Sequence, residues 1–420
     1  MKATSLAIAG GLALAIPGMQ GAALAQQASA AAPDRNETVT TRARPDYDAR
    51  GARVGGFLLN LGVGLEGRYD DNIFREENNT VDDYIAAVNP RAALSSTWSR
   101  HAVNVYADAE LGRYDSNTAE DYDDWSIGSD GRFDIAQGTF LTGRLVTNQE
   151  HEDRGSPDDV GGLNPTTYQL IEGDATLEYR PARIGLRLDF EGDRYRFDNT
   201  PTSTGVTNNA DRDRDEAEIF LTGSYQIQPQ YDAFVRFSYN DRQYENTPDD
   251  NGFNRDSDGW AAVVGARIDF TGVLFGDLFA GYREQSYDDA AFSKIDGPQV
   301  GATLFWNPTG LTTVTFRASR AIQETTIVDA SGYWATSTGA SVDHELRRNI
   351  LLNGRVSYSN NDYNGTSREN DLVNFGIGGT YLINRNFRAS ATYTFDQRDS
   401  SVAGSDYDNN LVVIRIAAQL

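Results

Sequence analysis

Ile184-Gly185-Leu186-Arg187-Leu188-Asp189-Phe190-Glu191 places an apolar side chain on every second position, with Gly, Arg, Asp and Glu between them. Successive residues of an extended strand point to opposite faces, so the stretch has one apolar face and one polar face. The same period of two recurs at Ile350, Leu352, Val356 and Tyr358 against Asn353, Arg355, Ser357 and Ser359. It returns at Phe387, Ala389, Ala391, Tyr393 and Phe395 against Arg388, Ser390, Thr392, Thr394 and Asp396. The chain ends on it, with Val412, Ile414, Ile416, Ala418 and Leu420 on one face and Arg415 and Gln419 on the other.

A soluble β-sandwich alternates in the same way, so the connections decide between architectures. Tight-turn residues recur at Ser99-Arg100, Gln137-Gly138, Arg180-Pro181-Ala182, Pro229-Gln230, Thr271-Gly272, Pro308-Thr309-Gly310, Arg347-Arg348-Asn349 and Asn384-Arg385-Asn386. Between them lie longer polar stretches near 70–83, 115–121, 148–166, 196–214, 245–257, 287–297, 325–332, 360–370 and 397–409. Eight turns and nine loops join about 18 strands of about ten to fourteen residues, the length of a tilted transmembrane strand. Hydrocarbon offers no partner to a free backbone group, so such a sheet must close on itself. The predicted fold is all-β, a closed antiparallel transmembrane barrel of about 18 strands.

The 420-residue chain has a net charge of -24, no cysteine, 40 glycines and 21 tyrosines. The acids cluster at Asp70-Asp71, Asp82-Asp83, Asp121 with Asp123-Asp124, Asp158-Asp159, Asp211 to Glu218, Asp249-Asp250 and Asp288-Asp289, which marks loops rather than an evenly acidic surface. Without cysteine there is no disulfide framework and no thiolate chemistry. Past the N-terminus no apolar run approaches the length of a helical span. Lys2, the apolar run Leu6 to Ile16 and Ala23-Leu24-Ala25 read as a secretory signal cut before Gln26, with Ala28-Ser29-Ala30 as a second site. The expected organisation is a signal peptide over 1–25, a flexible periplasmic leader over 26–55, and the barrel over 56–420.

Aromatics fall at both strand ends. Trp98, Trp306, Phe270 and Phe387 lie beside short turns, and Tyr69, Tyr114, Tyr195, Tyr244, Trp260, Tyr287 and Trp334 lie near long loops, which predicts two interfacial girdles. The apolar last strand is of the kind that barrel-assembly machinery recognises, although it ends on Leu420 rather than the commoner Phe.

Arg44-Pro45-Asp46-Tyr47-Asp48, Gly51-Ala52-Arg53-Val54-Gly55-Gly56-Phe57 and Tyr69-Asp70-Asp71-Asn72-Ile73-Phe74 resemble a known family, the putative β-barrel porins found in exopolysaccharide gene clusters. The resemblance is sharpest over Arg44 to Phe74 and continues as strand pattern and acidic loops to Leu420. It implies an outer-membrane barrel encoded beside polysaccharide synthesis and secretion genes, and it brings no catalytic residues with it. The partners it suggests are outer-membrane lipid and lipopolysaccharide, a polysaccharide and periplasmic export components, with no nucleic acid.

The polar strand positions should face water inside the barrel. Predicted lumen residues are Arg187, Arg236, Arg267, Arg283, Arg317, Arg355, Arg388 and Arg415 against Glu172, Asp174, Asp189 and Glu218, together with Asp108, Glu110, Glu191, Asp269 and Asp343. A lining of both signs suits a hydrated solute that is uncharged or weakly charged. Export of a polysaccharide, general diffusion of small solutes and a structural or adhesive role are the three readings this supports. Paired aspartates in the loops suit solvated acids better than Ca²⁺ ligands, and no metal or cofactor is expected. An enzyme is not expected: His101, His151 and His344 are the only histidines, and Asp343 and His344 point to opposite faces of a strand.

Overall fold

Period-two segments rich in Val, Ile, Tyr, Phe and Thr form long strands, which end where Gly, Pro, Asn and Asp gather in turns and loops. The computed structural model describes residues 37–270 and 272–420. The expected signal peptide, the first part of the leader and Thr271 of one turn lie outside them.

The wall consists of β1 (Phe57–Asp70), β2 (Asp83–Ser96), β3 (Ala102–Tyr114), β4 (Tyr122–Ala136), β5 (Thr139–His151) and β6 (Thr167–Tyr179). It continues through β7 (Ile184–Phe197), β8 (Arg214–Gln228), β9 (Tyr231–Tyr244), β10 (Ser257–Phe270), β11 (Leu274–Tyr287) and β12 (Ile295–Thr309). The remainder are β13 (Thr312–Gln323), β14 (Gly332–Arg347), β15 (Ile350–Asn364), β16 (Glu369–Leu382), β17 (Phe387–Ser400) and β18 (Tyr407–Gln419). Each strand pairs antiparallel with the next, and β18 closes on β1 from Gly62↔Gln419 to Asp70↔Leu411. The result is a closed antiparallel barrel of 18 strands. No helix among the described residues is long and apolar enough to cross a membrane.

The apolar face points outward. Ile184 is 64% exposed, Leu186 50%, Leu188 42% and Phe190 49%, as a lipid-facing row must be. On the other face, ion pairs join strands that are not neighbours, such as Arg283 of β11 to Glu218 of β8 at 2.8 Å. Such pairs form only where side chains converge on the concave side.

Three features depart from the sequence expectations. Part of the segment expected to be flexible is held in place: Ala52–Val54 folds back on Phe57–Leu59 through a Gly55-Gly56 turn, with Gly55 at φ 59. Residues 37–48 are pinned further, as described below. Loops 360–370 and 397–409 are shorter than expected, because β15 runs to Asn364, β16 starts at Glu369, β17 runs to Ser400 and β18 starts at Tyr407.

The third concerns the aromatic girdle at the long loops. Trp98, Trp306, Phe270 and Phe387 are exposed beside the short turns, and Trp260 is exposed near the long loops. Tyr244 and Trp334, however, are buried, at 6% and 7% exposure. Tyr114, Tyr195, Tyr244 and Tyr287 share strand parity with Gly112, Asp193, Arg242 and Gln285, which places them on the inner face. Of those predicted, Tyr69, packed on Tyr84, and Trp260 are on the outer face, where Tyr84, Trp125, Tyr239, Tyr282 and Tyr358 join them.

The β12–β13 ladder stops short of the strand ends. β12 and β13 pair only from Thr309↔Thr312 to Val300↔Arg320, although both strands continue. Beyond that point Pro298 has no N–H to donate, and the Trp334 indole lies against Gly297, where an added Cβ would be 3.4 Å from its ring. Ile295, Ile322 and Trp334, with Tyr287 against them, form a small apolar core. The upper end of β13 and β14 is thus tucked against the inner side of β11 and β12.

Candidate functional site

The inner face is lined by paired charges. Arg187 binds Asp189 at 2.6 Å, Arg283 binds Glu218 at 2.8 Å and Arg267 donates to Asp277 at 2.9 Å. Glu172 and Asp174 both receive Arg144, at 3.1 and 3.0 Å. Arg236 donates to Thr222 at 3.2 Å, and Arg355 to Asn374 at 3.1 Å and Thr394 at 3.3 Å. Arg317 faces Asp343, and Arg415 pairs with Glu66 at 3.1 Å. Alternation was the signal for these residues. It also held a signal for Arg68, which sits among Glu66, Glu110 and Tyr122 at 2.6, 2.7 and 2.8 Å, but sequence reasoning did not select it.

The long-loop end is crossed by residues 152–166, the loop from β5 to β6. Glu152 receives both amino groups of Arg212, at 2.9 and 2.6 Å, from the β7–β8 loop. Arg154 grips Glu120 of the β3–β4 loop at 2.8 and 2.6 Å. Asp158 accepts from the Thr325 hydroxyl at 2.8 Å and the Thr326 N–H at 3.2 Å. Arg398 of β17 donates to the Gly155 carbonyl at 2.9 Å. These partners stand around the rim, and β13 and β17 lie far round the wall from β5, so the loop spans the mouth.

A second loop meets it there. Residues 324–331, between β13 and β14, are fixed by Arg255, a side chain only 2% exposed. Arg255 donates to Asp249 at 2.7 Å, to the Thr325 and Ala330 carbonyls at 2.9 and 3.0 Å, and to the Thr326 and Ile327 carbonyls at 3.4 Å. Burial is the largest influence on Asp159 in the crossing loop, and with Glu152 and Glu120 nearby it raises the carboxyl to about 6 against the pull of Arg154. Burial also raises Glu324, despite Arg242 beside it.

The short-turn end holds the N-terminal segment. The Val39 N–H donates to Thr313 at 2.9 Å, Arg44 reaches Glu345 at 3.0 Å, and Asn307 donates to the Glu37 carbonyl at 3.0 Å. Arg385 and Gln419 donate to the Pro45 and Tyr47 carbonyls at 2.9 and 3.4 Å. The segment therefore passes from β13 toward β18 beneath the lumen.

The acidic loop pairs are engaged within the protein. Asp70 holds Arg75 at 3.1 Å, Asp71 accepts from Asn410 at 2.6 and 2.7 Å, and Asp249 holds Arg255. Among the described residues no cluster of three His, Asp or Glu is arranged for a metal ion. His151 bonds Asp124 at 2.8 Å and stacks on Tyr122, His344 bonds Thr312 at 3.0 Å, and His101 stacks on Phe133.

A family described as putative beta-barrel porin 2 matches residues 44–420. No curated protein matches the sequence. The outer membrane protein OpdK from Pseudomonas aeruginosa aligns with 86% of this chain and 99% of its own, at 12% identity and a TM-score of 0.47. OccK3 (OpdO) from the same organism aligns with 86% of this chain and 96% of its own, at 16% identity and a TM-score of 0.44. The ferric citrate transporter FecA aligns with 89% of this chain and 64% of its own, at 11% identity and a TM-score of 0.47. These are likenesses of barrel shape alone.

Proposed function

The chain belongs to the family described as putative beta-barrel porin 2 and is a porin-like β-barrel of the outer membrane; from that premise we propose that it is a gated channel for hydrated polar solutes. The observation that carries the gate is the crossing loop, whose contacts with Glu120, Arg212, Thr325 and Arg398 tie it to opposite parts of the rim. A lumen lined by ion pairs suits a hydrated solute, because water and paired charges replace each other's hydrogen bonds at little cost.

In the finer reading the solute is an exopolysaccharide leaving the cell. Two features support it: the resemblance to barrels found in exopolysaccharide gene clusters, and mouths covered at both ends, which an open diffusion pore does not need. General diffusion of small solutes is the second reading, favoured by the balanced charge of pairs such as Arg187–Asp189 and Arg283–Glu218.

Purified protein in planar bilayers separates the two. A closed resting state that opens, or is blocked, when polysaccharide is added supports export. A steady, large conductance without any additive would overturn the gate and leave the diffusion porin. Deletion of the gene should remove surface polysaccharide while its synthesis continues, if export is the task.

A further inference from the structure

Arg187, Arg267 and Arg283 of the inner face each have a carboxylate, and Arg236 and Arg355 have neutral acceptors, but the arginines at the short-turn end of β17, β18 and β2 outnumber their acids. Arg388 of β17 makes no ion pair among the described residues; it lies opposite Ala417, two residues from Arg415 on the same face of β18, and the charges acting on it are Arg91 and Arg415. Arg91 of β2 donates to Gln419 at 3.3 Å, and its one attracting charge is Asp108, its cross-strand partner on β3. Arg415 of β18 pairs with Glu66 at 3.1 Å, yet Arg68 holds the same carboxylate at 2.6 Å. The Nε of Arg415 is buried without a hydrogen-bond partner.

The backbone of β1 makes room for this group. A Cβ added at Gly62 would lie 2.5 Å from Arg91 Nε, and one added at Gly64 would lie 2.7 Å from an Arg415 amino group. Both guanidinium groups therefore lie across glycines, where any larger residue would push them away. Like charges brought together raise the free energy unless an anion joins them, and a planar guanidinium presents its N–H groups as a fork fitted to an oxyanion.

We propose that Arg91, Arg388 and Arg415 form a binding site for an oxyanion group, a carboxylate or phosphate carried by the solute that passes through the barrel. The inference rests on the channel reading and narrows its solute to an acidic one. It also gives an acidic protein, with a net charge of -24, a local station at which an anion is held rather than repelled.

The test is calorimetric titration of the full-length protein in detergent with trigalacturonate, inorganic phosphate and maltotriose. Trigalacturonate or phosphate should bind, more weakly as salt rises, and maltotriose should bind at least about tenfold more weakly than the better of them. Binding of trigalacturonate alone assigns the site to a sugar carboxylate, and binding of phosphate alone assigns it to a small oxyanion. R388Q and R91Q should each lose about tenfold in affinity, and R388K should lose less than R388Q. Heat-modifiable migration in a gel verifies that each variant is folded, and R91Q carries the test if R388Q is not. Equal affinity for maltotriose, no binding of either anion, or unchanged affinity in a folded R388Q or R91Q would overturn the proposal. Because binding is read without conduction, a wrong gate and a wrong anion site give different failures.

Discussion

Arg255 shows how much of the closed mouth depends on one side chain. Its guanidinium binds one carboxylate and four carbonyls, and Asp249 beneath it is equally buried, at 2% for each side chain. Removing the guanidinium leaves Asp249 buried with only the Asn251 and Phe253 N–H groups to face its charge, and takes this donor from the Thr325, Thr326 and Ala330 carbonyls. R255Q should therefore cost about 3 kcal/mol or more, felt first as faster hydrogen exchange over residues 324–331. Asp159 supplies a pH dependence. Its carboxyl is raised from 3.8 to about 6, so the folded loop binds the proton more tightly than the unfolded one does. That contribution is complete below pH 3.8 and is lost as pH rises through about 6. With the intrinsic pH dependence of amide exchange divided out, protection over residues 152–166 should be greater at pH 5 than at pH 7.5, and D159N should remove most of that difference. Alternation assigns a face to each strand residue, and that local property is the whole basis on which the sequence singles out the strand arginines. Arg255 is not singled out, because its carbonyl partners lie in a loop 70 or more residues away and carry no mark in the sequence.

Among elements, the N-terminal segment and the β12–β13 break behave in ways their own sequences do not announce. Residues 37–48 have no period and read as flexible, yet Arg44 and Glu345 form a buried pair, at 7% and 5% side-chain exposure. E345Q leaves that arginine without a full counter-charge. Trypsin cleavage after Arg42 should then be about tenfold faster than in the wild type, and an unchanged cleavage rate would show that the pair does not hold the segment. At the break, the part of β12 beyond Val300 has β11 on one side only. Amides of residues 296, 297 and 299 should exchange faster than those of 300–306, and equal protection would mean that the seam is paired in solution. The aromatic positions teach a related lesson. Parity with Arg242 and Asp193 already assigns Tyr244 and Tyr195 to the inner face, so position near a loop was a weaker guide than the alternation itself.

For the whole molecule, the barrel exposes rows such as Ile414 at 61% and Ile416 at 57%, which water would not tolerate on a monodisperse protein. The folded chain should require detergent or lipid and should migrate differently in a gel before and after boiling; a folded, monodisperse sample in plain buffer would refute the membrane assignment. Strand count, antiparallel order and closure followed from the sequence by itself, because side-chain parity and the alternation of short and long connections are local properties written along the chain. Only the tertiary structure decided what fills and covers the barrel. The crossing loop, the pinned N-terminal segment and the gathering of Arg91, Arg388 and Arg415 depend on which distant residues closure brings face to face, and no periodicity along one strand records that.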